Sequence, residues 1–138
     1  NIGPDNAINP AAQGNITIVE INNEDFILLL TLALTVSAQV NPSQIFANSY
    51  KFESSGDYQK AISELNVLNG YDYHKALRLG WLYYLAKDYE NSKKFYNQAI
   101  SLAPKSTEAL LGLCYPLEAQ KKTDELETVY KKILSLDK

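Results

Sequence analysis

The strongest constraint on this chain is the stretch over residues 79–104, LGWLYYLAKDYENSKKFYNQAISLAP. Ala76, Leu79, Gly80 and Tyr83 fall at i, i+3, i+4 and i+7, which is one face of a 3.6-residue period and predicts an amphipathic helix. Lys87-Asp88 interrupts the pattern. Ser92, Tyr96, Ala99, Ile100 and Ala103 then repeat the spacing until Pro104, which has no N–H to continue a helix. A small residue on each face, Gly80 and Ala99, lets the two helices approach closely, while Tyr83 and Tyr96 fill the space beside them. The spacing predicts a helix hairpin that stacks on copies of itself.

Leu79-Gly80, Tyr83-Tyr84, Asp88-Tyr89, Ala99 and Pro104, in that order over one period, resemble a tetratricopeptide repeat, a helix-turn-helix unit of about 34 residues. Ser92 departs from the family's usual Ala, and Lys87 stands where Gly is common at the turn. Upstream, Gly56-Asp57-Tyr58-Gln59-Lys60-Ala61-Ile62 matches the turn and second-helix start of another such unit. A third unit fits residues 107–138, with its turn at Lys121-Lys122-Thr123 and with Leu126, Tyr130 and Ile133 on the packing face. There Cys114 replaces the usual Gly or Ala, and Pro116 falls inside the first helix. The resemblance implies an all-α solenoid over residues 41–138, with repeats at about 42–72, 73–106 and 107–138. It has six helices in three antiparallel pairs and turns near 56–57, 87–88 and 121–122.

Local signals set the helix ends. Asn41-Pro42 reads as N-cap and first helical residue. The first helix runs to about Ser55, the second ends at Asn69-Gly70, Asp72 caps the third, and Thr123 is the expected N-cap of the sixth. Pro116 removes a hydrogen bond, and its ring would crowd the carbonyl of Gly112. An interior Pro costs about 3 kcal/mol in a regular helix, so a kink is expected there, eased by the bare Gly112.

Composition narrows the function classes. The 46% hydrophobic content suits a chain of 138 residues with a real core, and a net charge of -3 does not suggest a nucleic-acid partner. The charge is uneven. Residues 1–50 hold Asp5, Glu20, Glu24 and Asp25 and no Lys or Arg, so all 13 basic residues lie in residues 51–138. This change coincides with the start of the repeats and divides the chain into an N-terminal segment, residues 1–40, and a repeat domain, residues 41–138. The single cysteine, Cys114, has no partner for an internal disulfide and reads as a small buried residue. His74 is the lone histidine and has no ligand pattern around it. No phosphate loop or nucleophile motif is present. Neither a metal, a cofactor nor catalysis is expected.

The first 14 residues, rich in Asn, Pro, Gly and Ala, read as an irregular lead. Residues 15–21 are β-branched and roughly alternating, which predicts a short strand, and residues 22–25 a turn. Residues 26–37, FILLLTLALTVS, are nearly continuous apolar sequence, too short for a comfortable membrane span. Three readings stand. The run has the length of a signal-peptide core, and Val36-Ser37-Ala38 before Gln39 looks like a signal-peptidase site. The ending Ser-Ala-Gln also resembles exported proteins of the Bacteroidota, although Glu24-Asp25 stand where a signal would carry positive charge. Alternatively the run is a strand pairing with residues 15–21, or a helix packed on the repeats. The first reading implies an exported, cell-envelope protein; the others leave it cytoplasmic.

Stacked tetratricopeptide repeats resemble a curved scaffold whose concave face, lined by the first helix of each repeat, binds a peptide or partner protein. On this chain the resemblance places Phe46, Tyr50 and Glu53 on that face from the first unit. The second unit adds His74, Leu77, Trp81, Tyr84 and Leu85, and the third Glu108, Leu111, Tyr115 and Glu118. Tyr50, Trp81 and Tyr115 are equivalent and should form an aromatic row. It either packs between neighbouring helices or anchors a partner. The subtype that clamps a chaperone's C-terminal carboxylate is not matched: Phe46, Tyr50, Glu108 and Gly112 occupy clamp positions, and only Arg78 is basic nearby. The expected role is a non-catalytic protein-interaction scaffold, neither nucleic-acid-binding nor integral to a membrane. The alternative is a structural subunit that self-assembles. For that alternative, Leu126, Val129, Tyr130, Ile133, Leu134 and Leu136 give the last helix more apolar surface than one neighbour can cover. Cover is expected from a second copy, from residues 26–36 or from further chain.

Overall fold

A computed structural model of the chain describes residues 20–28, 40–70 and 72–137. The chain divides into two compact units, Asn1–Gln39 and Val40–Lys138.

In the first unit, residues 23–28 form a helix, α1. The Asn22 side chain accepts from Asp25 N at 2.8 Å, and its carbonyl accepts from Phe26 N at 3.0 Å. The expected turn at residues 22–25 is therefore a helix start. The Asx preference for bonding nearby backbone, which suggests a turn, serves equally well as an N-cap. Glu24 and Asp25 suit the positive end of that helix. This corrects the strand reading of the apolar run over residues 26–28, which are helical, and Glu20 and Ile21 are not in a strand. The irregular lead, the remainder of the expected strand and residues 29–37 lie outside the described residues. No helix among the described residues is long and apolar enough to cross a membrane.

The second unit is a succession of helix pairs: α2 (Pro42–Ser54) with α3 (Tyr58–Asn66), α4 (Tyr73–Leu85) with α5 (Tyr89–Leu102), and α6 (Thr107–Ala119) with α7 (Thr123–Leu136). The two helices of each pair pack on one another, although α6 has more of its contact with α5 than with α7. α3 then packs on α4 and α5 on α6, while α4 and α6 also touch, so the pairs stack as an α-solenoid.

One turn is used three times. After α2, α4 and α6 the chain passes through a residue in the left-handed region: Gly56 at φ 77°, Lys87 at 61° and Lys121 at 55°. In each turn that residue's N–H reaches back three residues, to the carbonyls of Glu53, Tyr84 and Glu118. The next residue's N–H reaches back five, to Phe52, Tyr83 and Leu117, all at 2.9–3.0 Å. This satisfies carbonyls a helix end otherwise leaves open. That next residue is also the N-cap of the second helix of the pair. Asp57 accepts from Lys60 N and Asp88 from Asn91 N, both at 3.1 Å, but Lys122 makes no side-chain cap. Thr123, the cap expected from sequence, is instead the first helical residue, because the turn geometry fixes the register. α3 ends at Asn66, three residues before the expected Asn69-Gly70. Val67 and Leu68 close back on Glu64 and Leu65, and Lys75 Nζ holds the Leu68 carbonyl at 2.6 Å. Asn41 and Asp72 cap as expected, accepting from Ser43 N and His74 N.

Packing converges on Tyr96, 3% exposed, in α5. Its ring lies between Gly80 of α4 and Gly112 of α6. A Cβ at Gly80 would lie 2.8 Å from Tyr96 Cγ, and one at Gly112 only 2.2 Å from Cε1. Gly112 therefore does more than clear the ring of Pro116. α6 runs unbroken through the buried Pro116 to Ala119. Beside Tyr96, Ala76, Ala99 and Ala109 bring α4, α5 and α6 together. Ser92 is fully buried and donates to the Gly80 carbonyl at 2.7 Å. Ala61, Ile62, Leu65, Leu79 and Leu82 join the first pair to the second; Tyr96, Leu110, Leu113, Cys114, Leu117 and Val129 join the second to the third.

Gly112→Ala should lower the melting temperature, a loss of about 1–3 kcal/mol from overpacking. The gain of about 1 kcal/mol that Ala normally brings to a helix is outweighed. In a Tyr96→Leu background the same change should stabilise; destabilisation in both would show that the ring is not the obstacle. Lys122→Asn should restore the missing cap and raise stability by about 1 kcal/mol in urea titrations.

Candidate partner-binding groove

The first helix of each pair, α2, α4 and α6, contributes to one face, and a groove of about 990 Å³ opens there. α2 supplies Phe46, Tyr50 and Glu53; α4 supplies His74, Leu77 and Trp81; α6 supplies Glu108, Leu111 and Tyr115. These nine are brought together from the twelve residues singled out in the sequence. Tyr84, Leu85 and Glu118 do not line it. Tyr84 turns aside to pack on Trp81, Tyr89 and Tyr115, with ring centroids at 5.5, 6.0 and 5.4 Å. Leu85 is the last residue of α4, and Glu118 accepts from Tyr130 OH of α7 at 2.9 Å.

The aromatic row is continuous over two of its three members. Trp81 meets Tyr115 edge to face at 5.7 Å. Tyr50 instead lies over the Arg78 guanidinium, 3.8 Å from its ring centroid. Arg78 is only 7% exposed and holds this end of the groove together. It forms an ion pair with Glu53 and donates to Ser49 Oγ at 3.4 Å, while Trp81 Nε1 donates to the other Glu53 oxygen at 2.8 Å. Glu53 and Trp81 thus reach each other across two repeats through one carboxylate. A planar guanidinium suits such a site, since one face can stack while its N–H groups bond in the plane.

The opposite end, at the starts of α4 and α6, carries Asp72, His74, Thr107 and Glu108. Tyr73 OH stands 2.6 Å from Ser106 Oγ and 3.3 Å from Glu108 Oε2. Among the described residues the ion pairs are Lys60–Asp57, Arg78–Glu53, Lys93–Glu90 and Lys131–Glu127, so neither Asp72 nor Glu108 takes part in one. No group of three His, Cys, Asp or Glu side chains converges as metal ligands among the described residues.

Asp72, Tyr96 and Thr107 also line the groove and were not singled out for it in the sequence, and so do Arg78 and Gly112, which were noted there only in setting the carboxylate-clamp subtype aside. Arg78 was detectable, lying four residues after His74 and three before Trp81 on one helical face. Tyr96 belongs to a second helix and reaches the groove only because Gly80 and Gly112 carry no side chains in its way.

Residues 76–106 match the tetratricopeptide repeat family, a stretch running from α4 to the start of α6. Repeats of this family generally mediate protein–protein interaction. A search of the curated proteins finds no match.

Two measurements check the chemistry of this face. Arg78→Met leaves Glu53 without its cationic partner in a partly buried site and should cost about 3 kcal/mol, most of it recovered in the double variant with Glu53→Gln. Equal losses in single and double variants would show that the pair is not coupled. The second is pH dependence. Burial raises the pKa of Tyr96, Tyr83 and Cys114, and a hydrogen bond to Glu118 raises that of Tyr130. The folded state thus favours the protonated forms. Their contribution is intact below the unfolded values and is lost as pH rises, from about 8.5 for the thiol and about 10 for the phenols. Urea midpoints should fall through this range, and less steeply in Tyr96→Phe.

Proposed function

We propose that the second unit is a non-catalytic scaffold that holds a segment of a partner protein in the α2–α4–α6 groove. The observation that carries this reading is the row of apolar side chains held open to water on a frame of three helices. Tyr50, Leu111 and Tyr115 are each about half exposed, at 56%, 50% and 47%, around the half-buried Trp81. Aromatic anchors on a preformed surface are the usual centre of a binding site, because little rotamer freedom remains to be lost when a partner docks. The match of residues 76–106 to an interaction repeat supports the same reading. Trp81 is the only tryptophan in the chain, so its fluorescence reports on the groove directly. A partner should shift that emission, and Leu111→Ala with Tyr115→Ala should weaken its binding at least about tenfold, the loss expected of interface anchors. Both residues are too exposed for the fold to depend on them. Unchanged affinity in that variant places the partner elsewhere.

Self-assembly is the second reading, favoured by the free face of α7, where Leu134 is 69% and Tyr130 42% exposed. Sedimentation distinguishes the two. A concentration-dependent oligomer abolished by Leu134→Glu supports self-assembly; a monomer that captures a partner supports the groove. The apolar run over residues 26–37, followed by Ala38-Gln39, supports a further reading of the protein as exported to a bacterial cell envelope. Cleavage after Ala38 when the chain is expressed in a bacterium is the expected outcome.

A further inference from the structure

We infer that the partner segment recognised by this groove is cationic, pairing a bulky apolar side chain with an adjacent Lys or Arg. The inference rests on the groove reading and specifies the ligand's charge. Among the described residues the groove is lined by one Lys or Arg, Arg78, and it is not available to a ligand. Its guanidinium is buried, paired with Glu53 and covered by the Tyr50 ring. A terminal carboxylate or a phosphate would find no free positive charge among these side chains. Asp72 and Glu108, by contrast, are exposed at the other end and make no ion pair among the described residues. Asp72 accepts from His74 N, and Glu108 from Tyr73 OH. Both sit at helix N-termini, whose partial charge of about half a unit each leaves this end net negative. The basic residues close in sequence, Lys75 and Lys105, do not line the groove, and Lys75 is held by the Leu68 carbonyl. His74, counted neutral at pH 7, does not reverse the sign. Along α4 and α6 from that acidic end, Leu77, Trp81, Leu111 and Tyr115 form the apolar stretch. A segment that places an apolar side chain over Leu77 and Leu111, about one turn along α4 and α6 from Asp72 and Glu108, would carry its neighbouring cation toward those carboxylates. Complementarity of this kind sets which partners bind and how fast they arrive.

The test uses the full chain and three tryptophan-free peptides of one length, each with a central Phe, flanked by Lys, by Glu or by Ser. Trp81 emission and the anisotropy of a peptide label are read above neutral pH. The Phe/Lys peptide should bind at least about tenfold more tightly than the Phe/Glu peptide, with a preference that shrinks as salt is added. In the double variant Asp72→Asn, Glu108→Gln the preference should fall to about twofold or less. Asn keeps the α4 cap and Gln keeps an acceptor for Tyr73 OH, and an unchanged melting temperature confirms the fold. Equal or tighter binding of the Phe/Glu peptide, or a preference that survives in the variant, overturns the inference while leaving the groove reading intact. Binding of none of the three peptides overturns both.

Discussion

The second unit depends on one ring. Tyr96 occupies the space left by two absent side chains, Gly80 on one side and Gly112 on the other, and it does so where three helices meet. A pair of helices that approach through a small residue leaves little room, so the ring fixes the separation of α4, α5 and α6 together rather than one pair at a time. Interiors pack as densely as organic crystals, and a ring with almost no exposure cannot shift to admit even a methyl group without moving helix backbone. Ser92 adds direction to this contact. Its hydroxyl bonds the Gly80 carbonyl from the facing helix, so α5 is held in register along α4 as well as against it.

The groove depends on the same arrangement. Because α4 and α6 are held close, Tyr96 forms part of the floor, and Trp81 and Tyr115 come within ring contact above it. The first pair is tied in differently. Beside the apolar cluster that joins the two pairs, α2 reaches α4 through the Glu53–Arg78 pair, the Tyr50 ring and Ser49. Such a pair adds little net stability compared with apolar packing, since two charges must leave water, but it is directional. Glu53 has to sit where both Arg78 and Trp81 can reach it. This end of the groove is therefore a constraint on how α2 lies across α4, while Leu77, Leu111 and Tyr115 supply its apolar lining.

Much of this is legible in the sequence, and the exceptions have physical causes. The period through Ala76, Leu79, Gly80 and Tyr83, the small residues and the turn residues specify the hairpins. The three turns fall at the residues read from Gly56-Asp57, Lys87-Asp88 and Lys121-Lys122. Thr123 is not the cap its residue type suggests, because a strong local preference yields to a turn whose hydrogen bonds are set by the preceding helix. Asn22 differs for the opposite reason. Its type favours turns and N-caps equally, and here it caps α1, accepting from Asp25 N. Arg78 is visible as the one nearby cation, but its pairing with Glu53 is a contact between residues far apart in sequence, which no local pattern encodes. Tyr84 packs against Tyr89 and Tyr115 as well as its helix neighbour Trp81, and the contact with Tyr115, thirty-one residues away, is one no local pattern encodes.

The repeats also differ in how firmly each holds its place, and the difference bears on the groove. The first two turns are followed by an Asp that caps the next helix, and the third by Lys122, which makes no side-chain cap. The third turn also places Lys121 in the left-handed region, where a side chain costs roughly 1 kcal/mol or more that Gly56 avoids in the first. Within α7 only Val129 is buried. Local opening concentrates where apolar contacts are few and ends are uncapped, which places α7 at the low-stability end of this unit. Yet α6, which carries Leu111, Tyr115 and Glu108, has its other face against α7 through Leu113, Leu117 and Val129. The outer wall of the groove is therefore only as steady as its weakest helix. A partner that engages Leu111 and Tyr115 binds α6 when it is docked and not when it has opened, so binding on one face of α6 stabilises packing on the other.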